Sequence, residues 1–393
     1  MIYALLFNGP SVVPLFFPVF PQLLLIYFAM RYFHLDFLRD GGAKYCFSVI
    51  SIFLFFLAIT AGMMSDQDLF LRFFKLFLNS LFAIVAATAL VAHYGHRFPR
   101  VYTDAITRLS LLGIAGLVVS SVADWSVVEN IADRSYHTNF LTAWIADGGE
   151  NSSASIFGPF VYRLQSFFDE PGTYGIFLLP ALYFAIYERR AISIIILVAT
   201  IFLTESASAW VGAMMLFVVY FFHSSSSIQK LLIFIVILSI LLAFSEAIIA
   251  LYEIKMGIDE AYANASSYGT REMEYRYILD NLLSHAAPLS NVGKARAALP
   301  GISSAYVDWA VHGGWVFISL LFCGLIAVGR IFVKVNSAAA TQSYFPFVLA
   351  LSLFISGFQR ASILDNILFM TLFYWSLLIA PRRKEETIEL CRC

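Results

Sequence analysis

The sequence predicts an all-α, polytopic membrane protein of about eleven transmembrane helices, with its N-terminus outside and its C-terminus inside. Three observations predict it. Hydrophobic residues make up 60% of the 393 and charged residues only 13%, against roughly 25% charged in an average soluble domain. Apolar runs recur along the whole chain, many near the ~20 residues that cross a ~30 Å hydrocarbon core as a helix. Lysine and arginine gather in alternate short loops, as the positive charge of cytoplasmic loops requires.

The spans fall at about 11–30, 45–62, 72–94, 107–123, 172–187, 191–204, 208–222, 230–251, 311–329, 343–359 and 364–380. The pair 191–204 and 208–222 is short and joined by Glu205-Ser206-Ala207, which also suits a broken or re-entrant pair. Arg31, Arg39 and Lys44 follow the first span, and Arg97, Arg100 and Arg108 mark the next alternate loop. Arg189 and Arg190, Lys230, Arg330 and Lys334, then Arg382, Arg383, Lys384 and Arg392 continue the series. Eleven spans put all of these on the inner side, so count and orientation support each other. The 39 Phe and 20 Tyr suit lipid-facing and interfacial positions. No cleavable leader is expected, because Arg31 follows the first apolar run instead of preceding it. Residues 1–393 read as one integral membrane domain.

Two long loops remain, about 124–171 and 252–310, both outside. Long loops translocate largely regardless of their charge, and these hold most of the polar chemistry. In the first, Arg163 and Glu170 are seven residues apart, a spacing that places both on one face of a helix. Pro171 suits the first turn of the next span, and the Glu170 carboxylate meets the positive end of its dipole. The pair reads either as a structural ion pair with a helix cap, or as a phosphate-binding arginine with a carboxylate near the chemistry. In the second loop, Thr270 to Leu283 reads as a helix carrying Arg271, with Glu272/Arg276 and Tyr275/Leu279 as i,i+4 neighbours. An interfacial amphipathic helix explains that charge pattern; an arginine fork also suits diphosphate oxygens, which it binds bidentately. His312 leads into a span, either as a base near neutral pH or, the reading favoured here, as a wet interfacial residue. Arg360 and Asp365 flank the last outer hairpin, where a pair or a polar cavity is expected.

Soluble-enzyme signatures are absent: there is no phosphate-cradling glycine loop, zinc pattern or nucleophile elbow. Cys46, Cys323, Cys391 and Cys393 have neither disulfide nor metal-ligand spacing and read as incidental. No outer Asp-x-Asp is present to hold a divalent ion, so neither metal nor other cofactor is expected, and no nucleic-acid partner.

The outer-loop segments resemble the O-antigen polymerase and O-antigen ligase superfamily. Arg163-Leu164-Gln165-Ser166-Phe167-Phe168-Asp169-Glu170-Pro171-Gly172 is similar to its arginine, Phe-rich stretch and Glu/Asn-Pro step. Leu203-Thr204-Glu205-Ser206 resembles its Leu-Thr-x-Ser. The stretch from Arg271 through Tyr275, Pro288-Leu289 and Gly293 is similar to its Arg … Trp … Pro-Leu-x-Gly-x-Gly segment, and Tyr306 to Gly314 to its Tyr-Leu … Glu-x-Gly ending. The resemblance covers about residues 155–330, with the motifs in order. Three positions depart from the pattern: Ala207 replaces a frequent arginine, Ser290-Asn291-Val292-Gly293 lacks the first glycine, and Ser303-Ser304 stands where the ligase branch carries His-Asn.

The resemblance implies a metal-independent, GT-C-like glycosyltransferase in the bacterial inner membrane, with its site facing the periplasm. Its substrate would be an oligosaccharide on undecaprenyl diphosphate, with membrane lipid and a chain-length regulator as partners. The missing His-Asn and the Glu170-Pro171 step favour a repeat-unit polymerase; the alternatives are a ligase and, less favoured, a lipid-linked glycan transporter. Arg163 and Arg271 match the family's diphosphate-binding arginines. Glu170 is the first candidate for the base and His312 the second, with Arg276 and Tyr306 as further substrate contacts.

Overall fold

The structure is a computed structural model. It describes residues 1–7, 20–32, 41–63, 67–123, 127–131, 134–138, 145–146, 171–204, 209–214, 216–217, 267–281, 292–299, 304–337, 344–357 and 366–379, with positions 164, 166, 168, 206 and 289. The expected spans 208–222 (in part) and 230–251, and Arg360 and Asp365, lie outside these residues.

Most helices form from apolar runs; one continues through an internal Pro180, and another, Ser267–Asp280, is a polar segment. In chain order they are α1 (Ile2–Phe7), α2 (Phe20–Tyr32), α3 (Gly41–Met63), α4 (Gln67–Tyr94) and α5 (Phe98–Ala123). Then follow α6 (Pro171–Tyr187), α7 (Ala191–Leu203), α8 (Ser267–Asp280), α9 (Val292–Ala298), α10 (Ala305–Gly313), α11 (Trp315–Ser337), α12 (Phe345–Ser356) and α13 (Ile367–Ile379). Between α5 and α6 stands a small antiparallel sheet, β1 (Val127–Ile131), β2 (Arg134–Thr138) and β3 (Ile145–Ala146), in sequential order with Glu129 opposite Tyr136. The helical class therefore holds, with one short meander in the first long loop that the hydropathy pattern does not announce.

Local chemistry sets the breaks. Gly95, at φ +49, turns the chain out of α4, a conformation glycine adopts without steric cost. Pro99 then sits in the first turn of α5, where its missing N–H is no loss. Consequently α5 starts at Phe98, well before the expected residue 107. Gly314, at φ 53 and ψ −133, separates α10 from α11 and donates its N–H to Ala310 O at 3.0 Å. The expected single span from 311 is therefore two helices, and His312 ends the shorter one.

Helix α4 packs on α2, α3 and α13; α12 lies against α6, α11 and α13; α6 contacts α5 and α7. Their centre is aromatic. Phe98 lies 4.3 Å from Trp375, and Tyr102 and Phe184 lie 5.5 and 5.7 Å from Phe345, between ring centroids. These are tilted and edge-on contacts that aromatic quadrupoles favour. Three buried tyrosine hydroxyls are satisfied: Tyr102 donates to Phe177 O at 2.9 Å, Tyr174 pairs with Ser110 at 2.6 Å, and Tyr374 with Ser80 at 2.8 Å.

Two helical stretches, Gln67–Val118 (the α4–α5 hairpin) and Trp315–Asn336, are long and apolar enough to cross a membrane. Large apolar side chains also stand on the outside of the bundle, among them Ile192, Ile195, Phe322, Ile326 and Val333.

Candidate functional site

The resembling segments come together in two pairs. In the first, the Leu164 N–H donates to Leu203 O at 2.9 Å, joining the Phe-rich segment to the end of α7. Ser166 sits at φ +53 and donates its hydroxyl to Leu109 O at 3.1 Å. Phe168 is buried and stacks 5.0 Å from both Tyr174 and Phe177 of α6. At these three described positions the segment is not helical. Arg163 and Glu170 themselves lie outside the described residues. Pro171 opens α6, as its chemistry predicts.

The second pair centres on α10. Helix α8 lies against it and includes Arg271, whose side chain lies outside the described residues, one turn before the fully buried Glu274. The Glu274 carboxylate accepts from Ser304 N–H at 3.1 Å, and the Ser304 hydroxyl donates to Gly357 O at 3.2 Å. That hydroxyl has one hydrogen, so the Tyr275 phenol, 2.7 Å away, donates to it. Ser304 also caps α10, accepting from Val307 N–H at 3.4 Å. One serine thus ties α8, α10 and the end of α12 together. The Leu289 N–H donates to His312 O at 2.8 Å, which docks Leu289 on the end of α10. Arg276 stands exposed on α8.

Tyr306 is buried, and its hydroxyl donates to Phe354 O. Burial holds the phenol well above its usual range, hence neutral. The ring lies so close to α12 that a Cβ at Gly357 would sit 2.6 Å from it. With its hydroxyl committed to the backbone, Tyr306 packs α10 onto α12 instead of presenting its oxygen to a sugar.

His312 is 4% exposed, so it is not the wet interfacial residue the sequence favoured. Its Nδ1 lies 2.7 Å from Asp308 O and 3.2 Å from Asp308 Oδ1. On its far side Asp308 receives Arg72 of α4: Nη1 is 3.3 Å from Oδ1 and Nη2 binds Oδ2. Burial alone would push the Asp308 carboxyl up; hydrogen bonds from His312 and Arg72, with the guanidinium charge, outweigh it and hold the group down at about 2. His312 Nε2 is buried and has no hydrogen-bond partner among the described residues.

Beneath α10 a groove of about 130 Å³ is lined by residues of α10, α11, α12, α13 and α3. Its lining is almost wholly apolar and includes Tyr306, Trp309, Leu321, Phe354, Phe369 and Phe373. Cys323 also lines it, as a free thiol.

Sequence reasoning missed Arg72, Asp308, Glu274 and Ser304. Two signals were available: Asp308 and His312 are i,i+4 neighbours, and a charge at the mouth of an apolar span calls for a partner. Among the described residues no group of three or more His, Cys, Asp or Glu is arranged to hold a metal ion. Comparison with family models, with curated proteins and with solved structures finds no match to this chain.

Proposed function

We propose that the chain is a membrane-embedded polysaccharide repeat-unit polymerase with the eleven-span, N-outside topology read from its charges. The donor is a growing glycan on undecaprenyl diphosphate, and the acceptor is a single lipid-linked repeat unit. The observation that carries the reading is the juxtaposition at α10. An apolar groove fit for a prenyl chain lies directly beneath a helix whose buried Asp308 and His312 are joined by the part-buried Arg72 of α4, and which packs against the helix of Arg271.

Three features support it. The exposed Ile, Val and Phe side chains on the bundle suit acyl chains better than water. The ion pair between Arg72 and Asp308 joins two positions that the charge bias independently assigns to the outer side. Arg163 and Arg271 match diphosphate-binding arginines in the resembling family. In the reaction, an acceptor hydroxyl attacks the anomeric carbon and the lipid diphosphate leaves. Arg163 and Arg271 stabilise the charge growing on that leaving group, while Glu170 or His312 accepts the hydroxyl proton. Arg276, exposed on the same α8 helix, is the candidate for a second phosphate contact.

The test is reconstitution with undecaprenyl-diphosphate-linked repeat units in EDTA. A polymer ladder is expected from the wild type, and none from Arg163→Ala or Arg271→Ala, with only partial recovery by lysine, which lacks the bidentate fork. Transfer to a lipid A core acceptor in place of polymer would assign the ligase reaction. Loss of activity in EDTA, restored by a divalent ion, would overturn the arginine-only account. Wild-type activity in either alanine variant would remove that arginine from the site.

A further inference from the structure

The polymerase reading uses the histidine of the Arg72–Asp308–His312 chain as one of two possible bases and leaves the other two members without a role. Geometry fixes the histidine's state. Nδ1 lies 2.7 Å from the Asp308 carbonyl oxygen, and a carbonyl oxygen only accepts, so Nδ1 carries the hydrogen. In the neutral ring Nε2 is then a bare acceptor, buried and without a donor among the described residues. An unmet buried acceptor is costly, and an apolar residue at 312 would have avoided it. Asp308 adds its Oδ1 at 3.2 Å to the same ring nitrogen, and Arg72 grips the carboxylate from α4, 236 positions away in sequence.

We propose that Asp308 and Arg72 are positioning residues for His312. They hold its ring in the Nδ1–H form so that Nε2 takes the proton of the attacking sugar hydroxyl. The proposal rests on the polymerase reading for the identity of that hydroxyl. In the step, the hydroxyl O–H breaks and its proton passes to Nε2. The hydroxyl oxygen bonds to the anomeric carbon, and the bond from that carbon to the diphosphate oxygen breaks with its electron pair. The diphosphate later collects the proton. The imidazolium formed meanwhile faces the Asp308 carboxylate, which the guanidinium of Arg72 keeps ionised. This is the division of labour by which a buried carboxylate orients a histidine and stabilises its charged form. Phe73 stands edge-on to the ring at 6.1 Å between centroids.

Two measurements test this on the full-length protein in lipid. Ring-¹⁵N histidine spectra, with H312Q subtracted to assign the signal among the seven histidines, should show the Nδ1–H form; an Nε2–H ring overturns the proposal. Polymerisation kinetics should show H312Q and the isosteric D308N each losing about a hundredfold or more in kcat, with the KM for the acceptor little changed. The double variant should be no worse than H312Q alone, because the two residues act as one unit. R72K should retain more activity than R72Q. Losses that multiply in the double variant overturn the coupling, and wild-type kcat in H312Q overturns the base. Polymer from the wild type with H312Q undiminished sinks this proposal alone; no polymer from the wild type sinks the polymerase reading and this proposal with it.

Discussion

One ion-pair cluster lies near the start of α4 and another just past its end, on α5, and the two are built differently. Near the start of α4, Arg72 meets Asp308 and His312 in a cluster whose side chains are 30%, 11% and 5% exposed. Past its end, beyond the Gly95 turn, Arg100 of α5 binds Glu188 bidentately at 2.7 and 3.3 Å, and Arg190 binds Asp104. There the guanidinium of Arg100 is 66% exposed. Both clusters join segments far apart in sequence. Both pairs clip the α6–α7 turn to the start of α5; the exposed Arg100–Glu188 pair does so at little cost in desolvation, while the Arg190 and Asp104 side chains are only 30% and 35% exposed. The enclosed cluster removes a carboxylate from water, which only close geometry and several hydrogen bonds can offset. Charge at a polar surface needs no special explanation; charge sealed under aromatic rings does.

The sharpest way to break this comparison is Asp308→Ala. It strands Arg72 and frees His312, and removing one partner of an enclosed pair costs about 3 kcal/mol or more. Chemical unfolding in detergent should show that loss. The Arg72→Leu/Asp308→Leu double variant should recover much of it, since no charge is left without its partner. Equal losses in the single and double variants would show that the pair is merely packed.

Acid should discriminate the two ends next. The Asp308 carboxyl is held at about 2 against an ordinary 3.8, so its stabilising contribution is present above the ordinary value. It is lost as pH falls from about 4 through about 2, a change on the order of 2 kcal/mol. Unfolding followed across that window should weaken in the wild type and stay flatter in Asp308→Asn.

The smallest effect is expected from Glu188→Gln. Exposed pairs contribute little and are screened by salt, so its heat stability should match the wild type at physiological ionic strength. A loss comparable to that of Asp308→Ala would erase the distinction between the two ends.

Much of the frame was legible in the sequence. The runs that become α3, α6, α7 and α13 are continuous and apolar. Pro171 announces the start of α6, and the spacing from Thr270 onward announces α8. Arg163 and Glu170 lie outside the described residues, and a spacing of seven says nothing about partners that compete for the segment between them. Leu164 is drawn into a backbone hydrogen bond with Leu203, and Ser166 turns the chain at positive φ. The segments similar to the polymerase and ligase superfamily were visible one by one. That Leu289 docks on His312, and that Glu274 binds the cap of α10, were not.

The sequence by itself determined the helical class and the order of the apolar elements. Periodicity, hydropathy and the conformational limits of glycine and proline all act within a few residues of the chain. Only the tertiary structure decided that Arg72 meets Asp308, that His312 is enclosed with one nitrogen unmet, and that Tyr306 uses its hydroxyl to bind Phe354. Those outcomes depend on which helix faces which, and that is set by packing a whole bundle of aromatic and small side chains at once. A histidine reads alike in sequence whether it is wet or sealed; the helix laid across it makes the difference.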